Sequence, residues 1–416
     1  MKIAIIGSRG MHATYGGIEK VLSELCPRLA DLGHEIHVFS ENSGGFPARN
    51  VEGVRIVPVP AIAGKYTESL SRTVFSLAKA ILADYDVINL VAVGPGSLSV
   101  LPRLLGKPTV VSIHGLDWRR DKWPAPARAL LKSAERMIVR SADEVTVVSR
   151  QLESYFSDTY GRQVSYIPNG LNVHDEGPDD FMLRQVGLKP GEYILFASRL
   201  VPEKGAHELI EAFSRIRTDK KLVIAGGSRY DLNYVESLYR QGQGDRFKFV
   251  GHVTGPLLDS LFSGAYLYAL PSHMEGLSLS LLEAIGHGKA CLVSDIPENL
   301  EVVGGSAFTF PVGDINAMSR LLQELVTDER RVSDMAMRAR KHARGQYAWD
   351  NLALQYSDIY NRLGGSRSCA TRTNPPGERA AGAIAEMTAL AEKSMSVERN
   401  VMAEQVVLTK RAVGAD

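Results

Sequence analysis

Twice along this chain, short β-rich runs alternate with segments of helical periodicity, and few architectures accept that pattern. In the first half the runs fall at 3–6, 36–39, 54–59, 87–91, 109–113 and 144–148. Between two of them Ile18, Val21, Leu22, Leu25 and Leu29 follow the i, i+3, i+4, i+7, i+11 spacing of one buried helix face, and Gly33 marks the stop. The second half repeats the scheme with Tyr193–Ala197, 222–225, 247–250, 266–270 and 291–293. Strands that alternate with helices form parallel sheets covered on both faces. The expectation is therefore an α/β chain of two doubly wound parallel-sheet domains facing across a cleft, with ligands at the carboxyl ends of the strands.

The turn signal Ile167-Pro168-Asn169-Gly170 and the polar, loop-like stretch 172–191 place the hinge. The domains expected are 1–170, 171–346, an amphipathic helix over 347–363, and a tail from 364 to 416. Residues 365–382 are rich in Gly, Pro, Ser, Thr and Arg, a composition that does not pack a core. A weak helical spacing over 383–408 leaves a frayed tail or a partner helix open.

Charge and cysteine content exclude several classes. The net charge of +1 gives no case for nucleic acid. Residues 1–170 carry 20 Lys and Arg against 16 Asp and Glu, and the remainder 28 against 31, so the front half is mildly basic. Cys26, Cys291 and Cys369 are far apart without metal-ligand spacing, as expected for reduced thiols in a cytoplasmic protein. The apolar run at the N-terminus is too short for a signal peptide and reads as a first strand. No segment approaches the ~20 apolar residues of a membrane span.

The most informative segment runs from Pro271 to Ala284, after a buried strand and into a helix. Ser278 suits the N-cap, and the unpaired N–H groups beyond it, with the helix dipole, favour a diphosphate. Glu283 lies roughly 7.5 Å along the helix, where a carboxylate accepts hydrogen bonds from ribose hydroxyls. Glu275 precedes the turn on the side of a sugar. A plain loop with one capping and one solvated Glu would give the same pattern. Arg199 and Lys204 flank a loop after another strand and suit a diphosphate, where they stabilise charge on a leaving group; Lys204 paired with Glu203 or Glu208 is the alternative. Gly16 and Gly17 permit close backbone approach at a helix start, or form an ordinary turn. Gly7-Ser8-Arg9-Gly10 lacks the third glycine of a dinucleotide fingerprint. His114 ends a strand and is either a sugar ligand or structural. Across 118–140, Arg128, Lys132, Arg136 and Arg140 share a helix face, with Leu131, Ala134 and Ile138 on another. Trp118, Arg119, Arg120, Lys122 and Trp123 precede them, a composition for peripheral membrane contact or for a solvated face.

Taken together, Gly16-Gly17, Gly33-His34-Glu35, His114, Ile167–Gly170, Arg199 with Lys204, Glu275 to Glu283 and Asp295-Ile296-Pro297-Glu298 resemble retaining glycosyltransferases of family four. The resemblance covers about residues 1–363. It implies the GT-B fold and a nucleotide-sugar donor. It also implies retention of anomeric configuration by front-face substitution, and no metal or cofactor. By the same resemblance Gly16 and Gly17 lie near the donor phosphates and His114 contacts the donor sugar. Arg199 and Lys204 hold the diphosphate, Glu275 the sugar and Glu283 the ribose, while Gly276, Leu277 and Ser278 supply backbone donors. The site would then be shared by both domains and depend on closure. Ser198 departs from the family's usual Gly before the Arg. The phrase from His114 to Trp123 resembles bacterial members that build surface polysaccharides on lipid carriers, which implies a lipid-linked or oligosaccharide acceptor on the inner face of the membrane. A nucleotide-sugar epimerase of the same fold, or a non-catalytic sugar-nucleotide scaffold, are the competing readings.

Overall fold

Apolar runs become the buried central strands, while the short edge strands stay partly exposed. β1 (Lys2–Ile6), β2 (Glu35–Glu41), β3 (Arg49–Val51), β4 (Val54–Val59), β5 (Val87–Val91), β6 (Thr109–Ile113), β7 (Glu144–Val147) and β8 (Ser165–Tyr166) form one sheet in the order β3-β4-β2-β1-β5-β6-β7-β8. Every residue of β5 and β6 is buried, as required of strands covered on both faces. The pairs of β1 with β2 and β5, of β2 with β4, and of β6 with β5 and β7 are parallel. The short edge strand β3 is antiparallel to β4. A second sheet contains β9 (Tyr193–Ala197), β10 (Lys221–Ala225), β11 (Phe247–Gly251), β12 (Leu267–Leu270), β13 (Cys291–Ser294) and β14 (Phe308–Phe310). Its order is β11-β10-β9-β12-β13-β14 and every pair is parallel. Both are doubly wound, Rossmann-like sheets.

This computed structural model describes residues 1–11, 16–41, 49–62, 67–119, 125–228 and 231–365. The chain separates into two compact units. The first contains Met1–Val147, Phe156–Ser165 and the stretch from Ala353; the second contains Val148–Tyr155 and Tyr166–Leu352.

In the first unit the periodic residues Val21, Leu22, Leu25 and Leu29 are buried on the helix Gly17–Asp31. The C-terminal part of the helix Trp349–Gly365 belongs to this unit through polar contacts. Tyr360 Oη accepts from Asn89 Nδ2 at 2.8 Å, and Ser112 Oγ donates to Asn89 Oδ1 at 3.0 Å. His34 Nε2 lies 2.7 Å from Ser357 Oγ. Burial pushes the Tyr360 phenol well up, so it keeps its proton. The helix continues through Gly364 and Gly365, beyond the expected stop at 363, and the rest of the expected tail lies outside the described residues.

The stretch 172–191, read as a loop, holds the helix Asp180–Gln185. Asp179 caps it by accepting from the backbone N–H groups of Phe181 and Met182, and Leu183 is buried. Cys26 and Cys291 are buried free thiols whose pKa values burial pushes up; Cys369 lies outside the described residues. No described helix is long and apolar enough to cross a membrane.

Candidate active site

Strand order reverses between β9 and β12 in the second sheet, because β10 and β11 extend from one side and β13 and β14 from the other. At such a switch point the loops leaving the carboxyl ends diverge and open a crevice. The two loops here are Ser198–Lys204 and Pro271–Ser278, which hold most of the residues expected to bind donor.

Backbone contacts join these loops. Pro202–Lys204 form a single 3₁₀ turn started by its proline and closed by Gly205. Gly205 has φ +70°, and a Cβ there would stand 2.3 Å from the Pro271 carbonyl oxygen, so only glycine allows this approach. Beside it, the His273 N–H donates to the Glu203 carbonyl at 2.9 Å.

Between the loops lies a buried ion pair. Lys204 Nζ is 2.5 Å from Glu275 Oε2, with side chains 9% and 6% exposed. Ser272 Oγ donates to Glu275 Oε1 at 2.8 Å, so both carboxylate oxygens are engaged. Ser272 is itself held, since Ser294 Oγ donates to its carbonyl and Asn299 Nδ2 donates to Ser294 Oγ. An ammonium has three donors, so Lys204 can keep Glu275 and still meet an anion. Arg199, half-buried, follows β9 by two residues in a tight turn where the Val201 N–H meets the Arg199 carbonyl.

Beyond Glu275 the chain enters the helix Leu279–Gly286. Ser278 is its N-cap, and its Oγ accepts from the Leu281 N–H at 3.3 Å. Leu277 is buried beside half-buried Gly276, and its carbonyl accepts from Asn169 Nδ2 at 3.1 Å. The turn Ile167–Gly170 therefore braces the loop that precedes the helix. Tyr268 Oη donates to the Ala197 carbonyl at 3.2 Å and lies 2.8 Å from Ser280 Oγ, joining the end of β9 to the first helical turn. Burial pushes this phenol well up as well. Glu283, half-buried, is the fifth residue of the helix.

Several contributors carry no role in the site from sequence, where Glu208 figures only as an alternative partner for Lys204. Ser272 could have been found from its i, i+3 spacing to Glu275. Asn169 belongs to the turn signal and to the segment that carries the family resemblance, but its bond to residue 277 has no local signature. Glu208 is buried, its Oε1 2.8 Å from His273 Nε2, while Oε2 is buried without a partner. His207 adjoins it, with Nδ1 2.9 Å from Tyr234 Oη, and burial lowers the His207 pKa.

The first unit holds Gly16, Gly17 and His114. Gly16 has φ +152°, and a Cβ there would lie 2.0 Å from Glu19 Oε2, so the carboxylate fills the space a side chain would need. Glu19 Oε1 accepts from the Arg9 N–H at 3.1 Å, and Arg9 Nε pairs with Glu68 at 3.0 Å. His114 is half-buried directly after β6. The basic stretch forms the helix Ala125–Ser141, which buries Ala134 and Ile138 and exposes Lys132, Arg136 and Arg140. Trp118 is half-buried, its indole Nε1 is buried, and Lys132 Nζ sits 5.0 Å from its ring, so this indole packs inside its own unit. Residues 120–124, with Trp123, lie outside the described residues.

Comparison with known proteins agrees with this architecture. The family described as Glycosyltransferase Family 4 matches residues 15–175, and that described as Glycosyl transferases group 1 matches residues 180–344. A GDP-mannose-dependent alpha-(1-6)-phosphatidylinositol monomannoside mannosyltransferase of Mycobacterium tuberculosis is 27% identical over 83% of this chain and 94% of its own. A glycogen synthase of the same organism is 23% identical over 86% and 94%. Sucrose-phosphate synthase from Thermosynechococcus elongatus shares the fold with a TM-score of 0.75 at 22% identity, covering 88% of this chain and 99% of that one. Anabaena HepE in complex with UDP-glucose shares it with a TM-score of 0.71 at 18% identity, covering 87% and 100%. With paired Rossmann-like sheets and both family patterns in sequence, this chain belongs to glycosyltransferase family 4, has the GT-B fold, and is a glycosyltransferase.

Proposed function

We propose that this glycosyltransferase moves a sugar from a nucleoside diphosphate donor to a lipid-linked or oligosaccharide acceptor, with retention, in surface-polysaccharide assembly on the cytoplasmic face of a membrane. The carrying observation is the buried Lys204–Glu275 pair at the strand-order switch, beside a helix start capped by Ser278. A cation held dry at that point meets a diphosphate more strongly than it would in water.

In this reading Arg199 and Lys204 face the diphosphate, and the N–H groups around Gly276, Leu277 and Ser278 add donors. Glu275, oriented by Ser272, takes the sugar hydroxyls, and Glu283 the ribose. Gly16, Gly17 and His114 keep the roles the resemblance implies. The bond from the anomeric carbon to the diphosphate oxygen breaks, and the acceptor oxygen bonds that carbon on the same face. The acceptor's proton passes to the departing phosphate, whose growing charge Arg199 and Lys204 stabilise. No metal enters this proposed chemistry.

Support for a lipid-borne acceptor comes from the helix Ala125–Ser141. Leu130 and Met137, seven residues apart, are exposed on the helix that also exposes Lys132, Arg136 and Arg140. One relative is named for a phosphatidylinositol monomannoside substrate. Incubation with a panel of labelled nucleotide-sugars and membrane extract tests the reading: label in the lipid fraction supports it. Conversion of free donor without acceptor would instead favour epimerisation, and binding without turnover would favour a scaffold. Glu283→Ala should weaken donor binding by ~1–3 kcal/mol, or roughly 5- to 150-fold. Unchanged calorimetric affinity removes Glu283 from the site.

A further inference from the structure

At the other end of the helix that Ser278 starts, a second group of side chains converges. His174, Asp259 and His287 each bring one ligand atom within 4.8 Å of the others. They come from three elements. His287 caps the carboxyl end of the helix Leu279–Gly286. Asp259 lies on the helix Pro256–Gly264, three residues before Phe262 and therefore on its face. His174 follows the Asn169 turn, and its backbone N–H donates to the Gly286 carbonyl at 3.1 Å.

The geometry is that of a site partly assembled. The imidazoles of His174 and His287 stack with centroids 3.9 Å apart and planes 3° from parallel, and Phe262 stacks near-parallel with His287 at 5.6 Å. His287 Nε2 and Asp259 Oδ1 stand 3.8 Å apart, too far for a hydrogen bond. Ligand atoms on a tetrahedral ion with bonds of about 2.0–2.1 Å are about 3.3 Å apart. The longest separation must therefore contract by roughly 1.5 Å. Buried His287 need not move, but half-buried His174 must turn out of the parallel stack so that its nitrogen lone pair points at the same ion, and exposed Asp259 must close on both. The nearby Arg340 guanidinium donates to the His174 carbonyl and pairs with Asp175, which offsets its charge.

We propose that His174, Asp259 and His287 bind one divalent transition-metal ion of the zinc class, distinct from the sugar-transfer chemistry. Two imidazoles and one carboxylate suit zinc, cobalt, nickel or copper, with water in the fourth position, whereas magnesium and calcium take oxygen ligands. The ion ties the segment after Asn169 to both helices. Since Asn169 braces Leu277, the metal fixes the loop and the helix that carry Ser278 and Glu283.

The test uses the full chain stripped with chelator and then titrated with Co²⁺ alone and with Zn²⁺ alone. The expected result is one ion per chain, a visible tetrahedral Co²⁺ band, and a rise in melting temperature with Zn²⁺. His174→Ala and Asp259→Asn, at accessible positions, should each weaken binding at least tenfold and abolish the band while their metal-free melting stays near that of the parent. His287→Asn is the third variant, used only if its metal-free melting is likewise preserved. Absence of binding by the parent chain overturns the proposal. So does unchanged affinity in both accessible variants, or a loss in only one of them.

Discussion

Removing one member of the Lys204–Glu275 pair should cost more stability than removing both, although every such variant should lose activity. With side chains 9% and 6% exposed and a separation of 2.5 Å, neither charge has ready access to water. Lys204→Met leaves the Glu275 carboxylate buried with Ser272 as a neutral donor. Loss of one partner from a buried pair costs about 3–5 kcal/mol. For a folding unit of about 200 residues, 1 kcal/mol lowers the melting temperature by ~2–4 °C, so the drop is roughly 6–20 °C. Glu275→Gln keeps an amide oxygen for the Ser272 hydroxyl but leaves the buried Lys204 ammonium without its counter-charge, and should likewise cost about 3–5 kcal/mol. The double variant places a neutral amide against a thioether and should recover most of the Lys204→Met loss. Its kcat/KM should nonetheless stay depressed ~10²–10³-fold, because the cation that meets the departing diphosphate is gone. The assay is donor-free melting of all four proteins, followed by initial rates with the donor identified by binding. Melting losses that simply add in the double variant would refute the electrostatic account, and restored kcat/KM would refute the role given to Lys204.

Three further outcomes follow from particular contacts. Asn169→Ala removes the donor to the buried Leu277 carbonyl and should cost ~1–3 kcal/mol of stability while weakening donor binding, as read by melting and calorimetry. Gly205→Ala forces a Cβ to within 2.3 Å of the Pro271 carbonyl at φ +70°; the loops must separate, so donor affinity should fall at least tenfold, and unchanged affinity would mean that their contact is not needed. Burial lowers the pKa of His34, which bonds Ser357 in the first unit. Its contribution to stability is therefore fully present above the unfolded value of about 6.5 and is lost as pH falls through the lower folded value, so His34→Gln should flatten the decline in melting temperature between about pH 7.5 and 5.5.

What the sequence discloses about this fold depends on the range over which each signal acts. Buried strands such as β5, β6 and β9 are legible because strands covered on both faces are mostly apolar, and polar residues among them, Asn89 in β5 and Ser112 in β6, are hydrogen-bonded to each other and, through Asn89, to Tyr360. β3, β8 and β14 have two or three residues each, too few for any periodicity to show. Ser278 is legible because a cap acts within three residues, and the Asp179 cap inside 172–191 carried the same signal in a stretch read as loop for its polarity. The Lys204–Glu275 pair stands on a different footing. Alternation of strands and helices dictates parallel pairing but not strand order, and these residues meet only because β12 lies beside β9 instead of beside β11. The same holds for Asn169, which reaches Leu277 from 108 positions away. Local chemistry thus announced which residues are equipped for a diphosphate and a sugar. Which of them can act together follows from the reversal of strand order at β9, and a substitution that left every motif intact but disturbed the β9–β12 pairing should disable the site as surely as loss of Lys204.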